Sequence, residues 1–116
     1  MNELNRVMIK KLALNISYHL VAPLITKVVL SDAIDRKRLE PMEAFGMQSD
    51  AEDYTLDKLE LGELSVSDFI SDDTWHEILG LTTSKLEACF KQNPDDVKEM
   101  FNDYMEYMNS KYPTMS

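Results

Sequence analysis

Cysteine is almost missing from this chain of 116 residues; Cys89 is the only one. An intrachain disulfide is therefore excluded, and so is a thiol-rich metal site. A reducing, cytoplasmic setting is the simplest expectation. Histidine is nearly as scarce, with His19 and His76 far apart in sequence. Glycine and proline number 3 and 4, too few for a linker-rich or low-complexity chain. No Gly-rich phosphate loop occurs, and the acidic runs lack the Asp-x-Asp-x-Asp-Gly form of a calcium loop. No repeat is visible. No catalytic, cofactor-binding or metal-ligating residue can be nominated, so the expectation is a protein that is not an enzyme and carries no cofactor. A Cys89–His76 pair is the one formal nucleophile arrangement. Set against it is the commoner use of a lone cysteine on a helix as a packing residue, which is the reading taken for Cys89.

Basic charge is also short. The chain has 12 Lys and Arg against 21 Asp and Glu, a net charge of −9. The imbalance is uneven: residues 1–40 carry +3 and residues 41–116 carry −12. Such a surface repels phosphate backbones and anionic lipid. A basic protein partner suits it better than a nucleic acid or a membrane. Long apolar runs are lacking too. Arg6, Lys10 and Lys11 precede an uncharged stretch, Leu12 to Thr26, in the manner of a signal peptide. That stretch contains Asn15, Ser17, His19 and Pro23, no small-x-small site follows it, and its 15 residues fall short of a bilayer span. The expectation is no membrane involvement.

What is present is helical periodicity. Hydrophobic residues make up 44% of the chain, enough for one compact domain. Leu4, Met8, Leu12, Ile16 and Leu20 form an i+4 row with Asn2 as its N-cap, and His19 falls in the same apolar arc as a partner for Asn15. Pro23 kinks this helix or restarts it, giving a helical hairpin or kinked helix over 1–40. Residues 41–55, with Pro41, Gly46 and a polar run, read as a loop. Residues 56–64 are ambiguous between strand and a short helix ended by Gly62, with helix favoured. In the unit 65–112, Ser65 to Ile70 and Asp72 to Leu79 read as short helices, the second closed by Gly80. Thr82 or Thr83 caps another through Lys91. Asn93 and Pro94 open the last, with the stripe Val97, Phe101, Tyr104, Met105, Met108 and Tyr112. The eight methionines fit core packing better than an adaptable partner surface. The fold class is all-α, a bundle of five or six helices.

The stretch Asp72 to Lys91 resembles the repressor-type helix-turn-helix. Trp75 and Leu79 precede the turn glycine Gly80, then come Leu81, Leu86 and Cys89 at the apolar positions of that family. The resemblance implies a second helix whose first residues meet base edges: Thr82, Thr83, Ser84 and Lys85, with Lys91 beyond. It departs from the family at His76, where a small residue is usual, and Asp72, Asp73, Glu77 and Glu87 crowd the face that would meet phosphates.

Two functional expectations follow. The first is a small acidic regulatory or inhibitory protein acting by protein–protein binding, of a class that resembles phage-encoded inhibitors and antitoxins, with DNA mimicry as one version. Its partner-binding residues are Asp95, Asp96, Glu99 and Asp103, and a homodimer is compatible with it. The alternative is a helix-turn-helix transcriptional regulator using Thr82, Thr83, Ser84, Lys85 and Lys91.

Overall fold

The computed structural model describes residues 2–111. They form four α-helices and one 3₁₀ turn, with no strand among the described residues. The helices are α1 (Glu3–Asp35), α2 (Pro41–Glu60), α3 (Asp72–Gln92) and α4 (Pro94–Lys111), and the 3₁₀ turn is Val66–Asp68. The all-α class is as expected. The count of five or six helices is not, because segments expected to be separate are joined.

Helix α1 opens as expected, with Asn2 Oδ1 accepting from the Asn5 N–H at 2.8 Å. It then runs through Pro23 for 33 residues without ending or restarting. An interior proline forfeits a hydrogen bond and costs about 3 kcal/mol. Burial around it offsets that cost: Val21, Ala22, Ile25 and Thr26 are all at most 3% exposed. The helix is longer than the uncharged run inside it. Its most apolar 18-residue window has a mean hydropathy of 1.4, so by length and composition α1 could cross a membrane.

The expected i+4 row is only partly buried. Met8 and Leu12 are buried, but Leu4 is 78% exposed and Leu20 56%. Each i+4 step turns about 40° around the axis, so four steps sweep about 160° and cannot face one neighbour.

Helix α1 ends in a Schellman motif. Arg38 N–H donates to Ala33 O and Lys37 N–H to Ile34 O, with Lys37 at φ 57. The loop expected over residues 41–55 is instead the body of α2. Pro41 sits in its first turn, after an extended Glu40. Met42, Glu43, Ala44, Met47, Gln48, Ala51 and Glu52 are good helix formers, and Gly46 costs only about 1 kcal/mol. Ser49, Asp50 and Asp53 of the polar run face solvent, and the helix buries Ala44, Thr55, Leu56 and Leu59. Helix, not strand, holds for residues 56–60. Gly62 closes it at φ 73, donating to Leu59 O while Glu63 donates to Lys58 O, a second Schellman motif.

Helix α3 is the clearest correction. It is one helix of 21 residues passing through Gly80, so residues 72–91 contain no helix-turn-helix. Gly62 is the only glycine at positive φ among the described residues. Thr82 and Thr83 do not cap a new helix. Their hydroxyls donate back to Ile78 O at 2.8 Å and Leu79 O at 2.7 Å, satisfied within the helix. The cap of α3 is Ser71, whose Oγ accepts from the Thr74 N–H at 3.3 Å.

The chain forms two compact units. Residues Asn15–Glu77 make a central unit with Val21, Ala22, Ile25, Ala44, Leu56, Leu59 and Val66 buried. Within it the buried Thr26 hydroxyl donates to Thr55 Oγ1 at 2.8 Å, and the Thr55 hydroxyl donates to Ala51 O at 2.8 Å, tying α1 to α2. The segments on either side make a terminal unit with Met8, Ile9, Leu12, Ala13, Leu86 and Val97 buried.

Candidate functional site

The acidic residues singled out from the sequence stand on α4. Asn93 precedes the helix, Nδ2 donating to Asp96 Oδ2 at 2.9 Å, and Pro94 lies in the first turn. The stripe that faces inward starts at Val97, 1% exposed. Phe101, Tyr104, Met105 and Met108 follow half-buried, with the Phe101 and Tyr104 rings 6.3 Å apart. Tyr112 lies outside the described residues. At about 100° per residue, Asp95, Asp96, Glu99 and Asp103 fall within one sector opposite that stripe. All four are exposed.

Glu106 falls in the same sector and is exposed too. Its i+3 spacing from Asp103 is the sequence signal that adds it to the four acids expected there. The structure thus brings five carboxylates onto one face of one helix. Among the described residues the ion pairs are Asp32–Arg36 and Lys58–Glu63; none of the five takes part in one.

Local energetics separate these five. Asp95 and Asp96 sit in the first turn, where the helix dipole favours each by about 0.3–1 kcal/mol. Glu99, Asp103 and Glu106 are too far along to gain from it. They are i+3 or i+4 neighbours of other acids, each such pair costing roughly 0.2–0.5 kcal/mol. The far half of the stripe therefore lowers the stability of its own helix.

The residues of the DNA-binding alternative do not form one surface. Thr82, Thr83, Ser84 and Lys85 are consecutive on a regular helix and span about 300° of it. Thr83 and Lys91 instead line a cleft of about 410 Å³ in the terminal unit with Arg6, Lys10 and Glu87, floored by Ile9.

The nucleophile pair fares no better. Cys89 and His76 stand thirteen positions apart on the continuous α3, and the His76 ring nitrogen Nδ1 lies 2.8 Å from Asp72 O. Cys89 is exposed, which corrects its reading as a packing residue. Among the described residues no three His, Cys, Asp or Glu side chains converge as metal ligands.

A polar cluster lies in the central unit. Asn15 Nδ2 donates to Glu60 Oε1 at 2.6 Å, and His19 is exposed, so Asn15 pairs with Glu60 and not with His19. Burial pushes the Glu60 carboxyl above the usual glutamate range and Asp57 adds to this, while the Asn15 hydrogen bond and His19 oppose it. Beside it, burial and then the Glu60 charge raise the Tyr18 phenol. The Tyr18 ring stacks on Trp75 at 5.7 Å and 11°, bordering a cleft of about 380 Å³ with Leu59 and Val66. Every buried side-chain polar atom here has a partner, so the cluster is satisfied structure.

No protein-family model, no curated protein and no solved structure matches this chain.

Proposed function

We propose that this is a non-catalytic regulatory or inhibitory protein that acts by binding a basic protein partner through the acidic face of α4. The observation that carries the reading is the stripe Asp95, Asp96, Glu99, Asp103 and Glu106, exposed along one helix face and opposite the side that packs. Its far half, Glu99, Asp103 and Glu106, gains nothing from the helix dipole and costs its own helix stability, so the benefit of those charges lies outside the fold. Rim carboxylates steer association with a basic surface and disfavour wrong partners. A partner that itself binds nucleic acid is the DNA-mimic version of this reading. The action is proposed to be cytoplasmic and free of cofactors.

The alternative, a helix-turn-helix regulator, depended on a turn at Gly80 that α3 does not make, and no observation favours it.

The test is salt-dependent capture from lysate by the wild-type protein and by Glu99→Lys/Asp103→Lys. This pair reverses charge while sparing the helix N-terminus. Reversal at Asp95 and Asp96 as well extends the test once circular dichroism shows the fold intact. Capture should fall with rising salt as the Debye length shortens below about 8–10 Å, and it should be lost in the folded variant. Equal capture by both proteins at every salt concentration overturns the proposal. Displacement of the captured protein by duplex DNA identifies the mimic version.

A further inference from the structure

The outer face of α1's first turns, in the terminal unit, collects the opposite charge. A groove of about 370 Å³ runs between α1 and α4, floored by Met8 and Phe101 and walled by Leu4 and Val7. Lys11 and Lys98 stand on its rim. Met8 is 8% exposed, whereas Leu4 and Val7 are 78% and 45% exposed. On the other side of the same α1 turns, Arg6 and Lys10 face Lys91 across the second cleft. Lys11 and Lys98 are the charged residues that line the apolar groove itself, both cationic on a protein of net charge −9.

We propose that this recess is a docking groove for an acidic amphipathic helix of a partner protein, independent of the carboxylate stripe on α4. Apolar side chains at i and i+4 of that helix enter between Leu4, Val7 and Phe101, and carboxylates beside them reach Lys11 and Lys98. Single exposed apolar side chains are ordinary. Leu4 and Val7 instead border a concavity of about 370 Å³, the form used in helix-in-groove recognition. Charge fixes the class of occupant. Exposed charges farther away than about 8–10 Å are largely screened at physiological ionic strength. A short helix seated in the groove therefore meets first Lys11 and Lys98, the charged residues that line it. An anionic bilayer, broad and flat, would meet the acidic remainder of the surface as well.

The test uses a fluorescein-labelled synthetic peptide of about 14 residues, four helical turns, with Leu at i, i+4 and i+7 and Glu between. Full-length protein is titrated into it and anisotropy is read. The proposal expects saturable binding that falls about tenfold in Lys11→Glu/Lys98→Glu, as loss of two rim ion pairs gives. It expects little change in Lys27→Glu/Lys85→Glu, which alters net charge equally at residues that do not line the groove. Leu4→Ser/Val7→Ser should weaken binding as well, and both sites are exposed enough to leave the fold intact, which circular dichroism checks. Absence of saturable binding at millimolar protein overturns the proposal, as does equal binding of a peptide with Lys in place of Glu or Ser in place of Leu. Equal weakening by the control pair also overturns it. A concentration-dependent dimer in sedimentation that Lys11→Glu/Lys98→Glu dissociates assigns the groove to a second copy instead. Pelleting with phosphatidylserine vesicles that the same pair abolishes assigns it to a membrane.

Discussion

Replacing Gly80 by alanine should stabilise this protein, whereas the same change at Gly62 should destabilise it. Both glycines are open to solvent, and a Cβ added at either meets nothing within 4 Å. Packing therefore drops out of the comparison and only backbone conformation remains. Gly80 lies inside α3, where alanine is favoured over glycine by about 0.8–1 kcal/mol, part of it from restricting the unfolded chain. Gly62 stands at φ 73, where a Cβ crowds the following carbonyl and costs about 1–2 kcal/mol. For a chain of this size, 1 kcal/mol moves the melting temperature by roughly 3–6 °C. Thermal melts followed by circular dichroism at 222 nm should show Gly80→Ala above wild type and Gly62→Ala below it, each by several degrees. Urea titrations should move the midpoint in the same directions with unchanged slope. A turn at Gly80, as in a helix-turn-helix, would make both substitutions destabilising. A lowered melting temperature for Gly80→Ala would thus refute the continuous α3 and restore the basis of the DNA-binding reading.

Three further outcomes are expected. Glu60 is raised in the folded state by burial, so its contribution to stability is fully present below the ordinary glutamate range and is lost as pH rises through the folded value; Glu60→Gln, which keeps an acceptor for Asn15, should gain on wild type in urea midpoint between pH 4 and 7, and a constant or opposite difference refutes this. Thr55→Val leaves the buried Thr26 hydroxyl without its acceptor and should cost about 1–3 kcal/mol, whereas Thr26→Val/Thr55→Val should recover much of the loss in a double-mutant cycle; strictly additive losses would show that the two hydroxyls are not coupled. Cys89→Ser, at an exposed position, should change stability by less than about 0.5 kcal/mol, and a larger loss in chemical denaturation would return Cys89 to the core.

Residue spacing alone determined the all-α class, the cap at Asn2, the stop at Gly62, the opening of α4 at Asn93 and Pro94, and the acidic and apolar sides of α4. These are local properties, set by capping hydrogen bonds, allowed φ values and the helical period within a few turns. Tertiary structure decided where helices do not stop. Pro23, Gly46 and Gly80 each carry a local penalty of about 1–3 kcal/mol against helix. That penalty reads as a boundary until burial along the same segment outweighs it, as Val21, Ile25, Ala44, Leu59 and Leu86 do here. Tertiary structure also decided which apolar residues are core. A long i+4 row winds around its helix, so Met8 and Leu12 are buried while Leu4 and Leu20 are not, and only the placement of neighbouring helices selects between them. The groove flanked by Lys11 and Lys98 was illegible for the same reason: its walls come from segments some ninety positions apart in the chain, and no spacing rule acting within a few turns connects them.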